Sequence, residues 1–104
     1  MRKGTTMFRH VVMFSWNDTV DAAHVAAVAA QLDGLVAVIP EIKAYLHGPD
    51  AGLNPGNFDY VLVGEFDTVD DYLVYRDHPA HQAFIAGFIA GRVASRAAVQ
   101  YSTA

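Results

Sequence analysis

From Met7 to Trp16 the chain reads MFRHVVMFSW, and residues of both parities are apolar: Phe8, His10, Val12, Phe14 and Trp16 alternate with a set that includes Val11 and Met13. Successive strand residues face opposite sides, so the pattern predicts a strand with each face against something dry. Asn17, Asp18 or Thr19 then offers a cap. Val20, His24, Ala27, Val28, Gln31, Leu32 and Leu35 follow at helical spacing and predict an amphipathic helix ending between Gly34 and Ile39, with Pro40 beyond it. Glu41 to His47 alternates as a second strand. Gly48 to Phe58, with two prolines and three glycines, predicts a long irregular loop able to act as a lid.

Asp59 to Phe66 (DYVLVGEF) is apolar in both parities again and predicts a central strand. Thr68 with Asp71 three residues on resembles a capping box and opens a short helix over DDYLVY. Proline is tolerated in a first helical turn, so a new helical segment is expected to start at Pro79, with His78 as its cap, and to run to Gly91. Arg96 to Ser102 closes the chain as a strand. The order β, α, β, β, α, β is that of a ferredoxin-like α+β protomer, a four-stranded antiparallel sheet with two helices on one face. Two helices cover one face only, yet two strands are apolar on both. The open face therefore predicts burial against a second copy in a two-fold homodimer.

Composition sharpens this picture. Over 104 residues, 53% are hydrophobic and 17% charged, against roughly 25% charged in ordinary domains. One domain over residues 7–102, with an N-terminal extension at 1–6, is the expected organisation. Seven basic against eleven acidic residues give a net charge of −4, which provides no footprint for nucleic acid or anionic lipid. No run approaches the roughly 20 apolar residues of a membrane span, and no targeting segment is evident. The absence of cysteine removes disulfides and thiolate chemistry and fits a soluble, cytoplasmic protein.

With five histidines, five tyrosines and no cysteine, imidazole, phenol and carboxylate are the groups left for catalysis. The richest cluster is YRDHPAH, Tyr75 to His81. If Pro79 opens the helix, His81 falls in its first turn, where the helix dipole disfavours an imidazolium and keeps the ring neutral. A neutral imidazole in an apolar cavity can take a proton or donate a hydrogen bond to a carbonyl, as enolisation requires, and Tyr75 can share that space. A histidine at a helix start is also often a simple cap, and a core tyrosine often satisfies its hydroxyl locally. His10 shares a strand face with Phe8, Val12, Phe14 and Trp16, so it must find a partner or face a cavity. His78 and His81 have the spacing of a metal pair but no visible third ligand, and no metal is expected. His24 and His47 read as solvated or packing residues and Asp70 and Asp71 as helix-start charges, while Arg92 and Arg96 could steer an acidic ligand but read first as solvated surface charge. Phosphate-cradling, nucleophile-elbow and dinucleotide motifs are absent.

Three strings, RHVVMFSW, IPEIKAYLHG and above all YVLVGEFDTVDDYLVYRDHPAHQAF, resemble the stress-responsive A/B barrel (Dabb) family over Met7 to Ser102. The resemblance implies a dimeric α+β barrel built from ferredoxin-like protomers. Most members have no assigned activity. A plant branch is a polyketide cyclase performing a cofactor-independent aldol condensation, and its motif residues fall on Tyr75 and His81, with the first-strand histidine on His10. By resemblance, His81 is the base toward a C–H beside a carbonyl, Tyr75 holds it or the substrate oxygen, and His10 lines the pocket; Val12, Phe14 and Trp16 are expected to shape a cavity different from that of the plant branch, and His78 to contact the ligand. The expectation is a homodimer binding a small hydrophobic carbonyl compound in an internal cavity, without cofactor, and able to act as a cyclase, lyase or isomerase. A non-catalytic ligand-binding or stress-associated protein is the competing expectation. Oxidative chemistry on a haem or quinone-like ligand, as in other dimeric α+β barrels, has no further motif behind it.

Overall fold

A computed structural model describes residues 6–103, so residues 1–5 of the expected extension lie outside the described residues. The chain runs β1 (Phe8–Trp16), α1 (Ala22–Val38), β2 (Ala44–Pro49), β3 (Tyr60–Phe66), α2 (Val69–Asp77), α3 (Pro79–Phe84), a π-helical turn over Ile85–Ile89, and β4 (Val93–Ser102). Its strands form one antiparallel sheet in the order β2-β3-β1-β4, the ferredoxin-like βαββαβ arrangement.

Register decides what each face carries. Opposite Phe8, His10, Val12 and Phe14 of β1 stand Phe66, Gly64, Leu62 and Tyr60 of β3, and on the other side Ser102, Gln100, Ala98 and Arg96 of β4. This is the helix side, where Val12, Leu62, Phe66 and Tyr60 pack with Val28, Leu32, Leu35 and Ile39 in one core. Each such aliphatic side chain contributes about 1.5–3 kcal/mol by leaving water. The opposite face carries Val11, Met13, Val61, Val63, Leu46 and Val99. It is left uncovered, with Leu46 67% and Val99 58% exposed.

Several boundaries differ from the expected ones. Asp21, not Asn17, Asp18 or Thr19, caps α1, its carboxylate accepting from the His24 N–H. Asn17 is spent on a local turn, accepting from Thr19. The second strand starts at Ala44 rather than Glu41, because Ile39 and Ile42 both turn inward, linked by the Ile42 N–H to the Ile39 carbonyl. The last strand starts at Val93 rather than Arg96. The helix after Pro79 widens into a π turn whose Ala90 N–H bonds the Ile85 carbonyl at 2.8 Å, and Gly91, at φ 75°, turns the chain back into β4. Single π turns of this kind recur at functional sites.

The expected Gly48–Phe58 loop is shorter, because Gly48 and Pro49 pair with Val61 and Tyr60 as the end of β2, and it is not a lid on the helix side. Asp50 N–H bonds the Asp59 carbonyl, Asp59 N–H bonds the Phe14 carbonyl, and the Asp59 carboxylate accepts from Trp16 N–H. Pinned to the end of β1 in this way, Asp50, Gly56, Asn57 and Phe58 gather with Met13 and Val61, residues of the uncovered face.

Candidate active site

The site begins with a missing hydrogen. In an unbroken helix the Tyr75 carbonyl would accept from residue 79, but Pro79 has no N–H, and the His78 N–H takes that carbonyl instead. The Arg76 carbonyl would accept from Ala80, but His78 caps α3 by accepting the Ala80 N–H on its own Nδ1 at 3.0 Å. Arg76 is thereby left with a free carbonyl next to the following turn. His81 Nδ1 donates to it at 2.9 Å and Gln82 Nε2 at 2.6 Å. A neutral imidazole carries one proton, so this bond places it on Nδ1 and leaves the Nε2 lone pair free. Burial pushes the His81 pKa down, opposed by its bond to Arg76. The ring is neutral at pH 7 as the sequence predicts, but the leading cause is desolvation rather than the helix dipole.

His81 lines a cavity of about 450 Å³ between sheet and helices, within the size range of small-molecule sites. Its walls come from β1 (His10, Val12, Phe14), α1 (Leu32), β3 (Leu62), α2 (Tyr72, Tyr75, Arg76), the turn after Pro79 (His81, Gln82, Phe84, Ile85, Ile89) and β4 (Val93, Arg96). Tyr75 lies against His81 with ring centroids 4.2 Å apart. Its Oη is 2.6 Å from Tyr45 Oη. Only one of the two O–H bonds can lie between those oxygens. Tyr45 does not line the cavity and Tyr75 does, so the arrangement that strands no buried proton has Tyr45 donating and the Tyr75 O–H directed to the cavity. Burial raises both phenols, Tyr75 to about 12, and Tyr45 further still. Both are protonated at neutral pH.

His10 is 6% exposed. Gln100 Nε2 donates to its Nδ1 at 3.0 Å and to Tyr72 Oη at 2.9 Å, so the His10 proton sits on Nε2. Burial, then the Arg96 charge and, once it is protonated, that of His81, lowers its pKa to about 4. The cavity lining thus includes one imidazole with an unprotonated nitrogen, His81, and two residues that carry a neutral donor, Tyr75 and His10.

Five of the predicted site residues come together here: His81, Tyr75, His10, Val12 and Phe14. Two do not. Trp16 lies at the far end of β1, stacked on Phe14 at 5.6 Å and edge-on to His24, and His78 is committed to the cap. Among the described residues no group of three or more His, Asp or Glu is placed to hold a metal. The sequence reading missed Tyr45 and Gln100, and favoured surface charge over acidic-ligand steering for Arg96, which is exposed and also lines the cavity. Parity could have placed Gln100 and Arg96 on one face of β4, but only the register puts that face beside His10. His24 and His47 do pack, His24 on the Phe88 carbonyl and His47 between Tyr60 Oη and Asp33 at 2.7 Å each.

Fold and cavity together define a ferredoxin-like α+β protomer with a ligand-sized space between sheet and helices. More particularly, the chain belongs to the stress responsive A/B barrel domain family, whose model matches residues 8–103. A dimeric ferredoxin-like protein of unknown function from Thermobifida fusca is similar at 43% identity and TM-score 0.87, over 94% of this chain and 92% of that one. An uncharacterized protein of Streptomyces coelicolor is 30% identical over 82 residues, 77% of this chain and 84% of that protein. A hydroxynitrile lyase from Passiflora edulis shares the fold, with TM-score 0.84 at 19% identity over 97% and 96% of the two chains. No helix among the described residues is long and apolar enough to cross a membrane.

Proposed function

We propose that the protein is a homodimer whose protomers each bind a small, partly apolar carbonyl compound and catalyse proton transfer, leading to cyclisation or isomerisation, with His81 as base and no cofactor. The observation that carries this is the His81 Nδ1 to Arg76 carbonyl bond, which leaves Nε2 unprotonated on a residue that lines an apolar cavity. The C–H proton beside the carbonyl passes to His81 Nε2, and its electron pair forms the enolate. Tyr75 O–H donates to the oxygen where that charge develops, a donor fixed before the reaction and shielded from water. In cyclisation the enolate carbon attacks a second carbonyl, and the imidazolium returns the proton to the new alkoxide. In isomerisation the proton returns to another carbon. His10 Nε2–H supplies a second neutral donor.

The uncovered apolar face and the dimeric Thermobifida fusca relative support the homodimer, and a cysteine-free composition supports a cytoplasmic setting. The test is turnover of aromatic and polyketide-like carbonyl compounds by the wild type, His81→Ala and Tyr75→Phe. Removal of a general base is expected to cost about 10²–10⁴-fold. Compounds that bind but react at a rate indifferent to both substitutions would refute the catalytic reading and leave a binding protein.

A further inference from the structure

The cationic side chains divide in an uneven way. Arg9 pairs with Glu65, Lys43 with Asp67 and Arg76 with Asp77, while Arg92 donates to the Thr19 carbonyl. Arg96 alone makes no ion pair or hydrogen bond among the described residues, and it lines the cavity. It stands on the cavity face of β4, opposite Phe14, two same-face positions before the Gln100 that fixes His10. Ala98 between them is too short to screen the two. The guanidinium reaches far enough to help depress the His10 pKa. Both cavity imidazoles are neutral at pH 7, and Arg76 is neutralised by Asp77. Arg96 is solvent-exposed, so the cavity carries at its open rim one positive charge without a protein partner, beside a largely apolar lining.

We infer that the ligand is an apolar carboxylic acid, bound as its anion, with the carboxylate on Arg96 and the hydrocarbon or aromatic body against Val12, Leu62, Phe84 and Ile89. This rests on the proposal that the cavity binds a small carbonyl compound, and it narrows that class to acids carrying the reacting carbonyl within reach of His81. Arg96 is the choice for this task because its planar fork matches both oxygens of a carboxylate. Arg96 is then a specificity residue: it selects the anion and fixes which end of the ligand meets His81.

The experiment compares 3-phenylpropanoate with 3-phenylpropanamide, equal in shape and differing in charge, by calorimetric titration of the full chain. The wild type is expected to bind the acid at least about tenfold more tightly than the amide, the value of one charge-assisted contact. Arg96→Gln should abolish that preference while leaving amide binding within about twofold, and Arg96→Lys should retain part of it. In Arg96→Gln the His10 pKa, followed by NMR, should rise. Equal binding of both probes by the wild type, unchanged in Arg96→Gln, would overturn the carboxylate assignment and leave the cavity proposal standing. Failure of both probes to bind overturns both. Arg96-dependent binding in a protein whose turnover ignores His81 would uphold the ligand class and remove the base.

Discussion

The tyrosine pair makes the most exposed prediction of the site, because its two members should respond unequally. Tyr75→Phe keeps the ring, and with it the packing against Phe66 at 5.0 Å and His81 at 4.2 Å. What it removes is the acceptor for Tyr45, whose hydroxyl has no other partner among the described residues. A buried donor stranded in this way costs about 1–3 kcal/mol. Tyr45→Phe instead strands no donor, because Tyr75 keeps its hydroxyl on the cavity side, and the loss of an ordinary hydrogen bond costs about 0.5–1.5 kcal/mol. The double variant strands nothing, so its loss should fall short of the sum of the two singles by on the order of 1 kcal/mol. Urea titrations at one fixed protein concentration measure all four corners of the cycle, the concentration being held because dimerisation adds to apparent stability. In thermal scans each kcal/mol should appear as roughly 4–8 °C in Tm. Two equal single losses that simply add in the double would show that the hydroxyls are not coupled and that the Tyr75 proton is not directed to the cavity.

Four shorter predictions accompany it. His10 has its folded pKa lowered to about 4 from roughly 6.5 when unfolded, so the unfolded chain binds the extra proton. Stability should be complete above about pH 6.5 and fall by on the order of 3 kcal/mol as pH drops toward 4, and His10→Gln should flatten urea midpoints over that window. His78→Ala should cost about 1 kcal/mol as a lost cap and lower turnover, because the freed Ala80 N–H can claim the Arg76 carbonyl, and His78→Asn should restore most of both. Gly64→Ala places a Cβ 3.3 Å from the Phe66 ring and 3.4 Å from Tyr45, and overpacking there should destabilise by about 1–3 kcal/mol in the same urea assay. Val63→Glu on the uncovered face should convert the proposed dimer to monomer in sedimentation, and an unaltered dimer would put the interface elsewhere.

What the sequence disclosed about the fold follows from period and from proline. Even positions of β1 and of Tyr60–Phe66 announce a buried face whatever the partner, and Pro79 with His78 announces a helix start from local chemistry alone. The start of β2 was misread because Glu41 to Lys43 alternates in sequence while Ile39 and Ile42 are pulled into one core by a turn. No local signal marks the π turn, whose Ile85 and Ile89 both line the cavity. The loop over residues 50–58 could be seen as a loop, although β2 takes Gly48 and Pro49, and the side on which it settles is decided by Asp59, which ties it to the end of β1.

The candidate site divides along the same line, between what neighbours in sequence dictate and what only register supplies. The string from Arg76 to Gln82 determines its own chemistry. A proline without an N–H and a histidine that caps leave one carbonyl unclaimed, and that carbonyl fixes the proton of the next histidine on Nδ1. Replacing Pro79 by alanine would return an N–H to the Tyr75 carbonyl and favour a continuous helix, in which Ala80 claims the Arg76 carbonyl and His81 loses its tautomer lock. Turnover in Pro79→Ala should therefore fall along with His81→Ala, although residue 79 is exposed and touches nothing in the cavity. The partners of the groups beside this base come from elsewhere in the chain: Tyr45 from β2 on Tyr75, and Gln100 and Arg96 from β4 on His10. Their reach depends on strands pairing in one register out of many, so their role becomes visible only once the sheet is built.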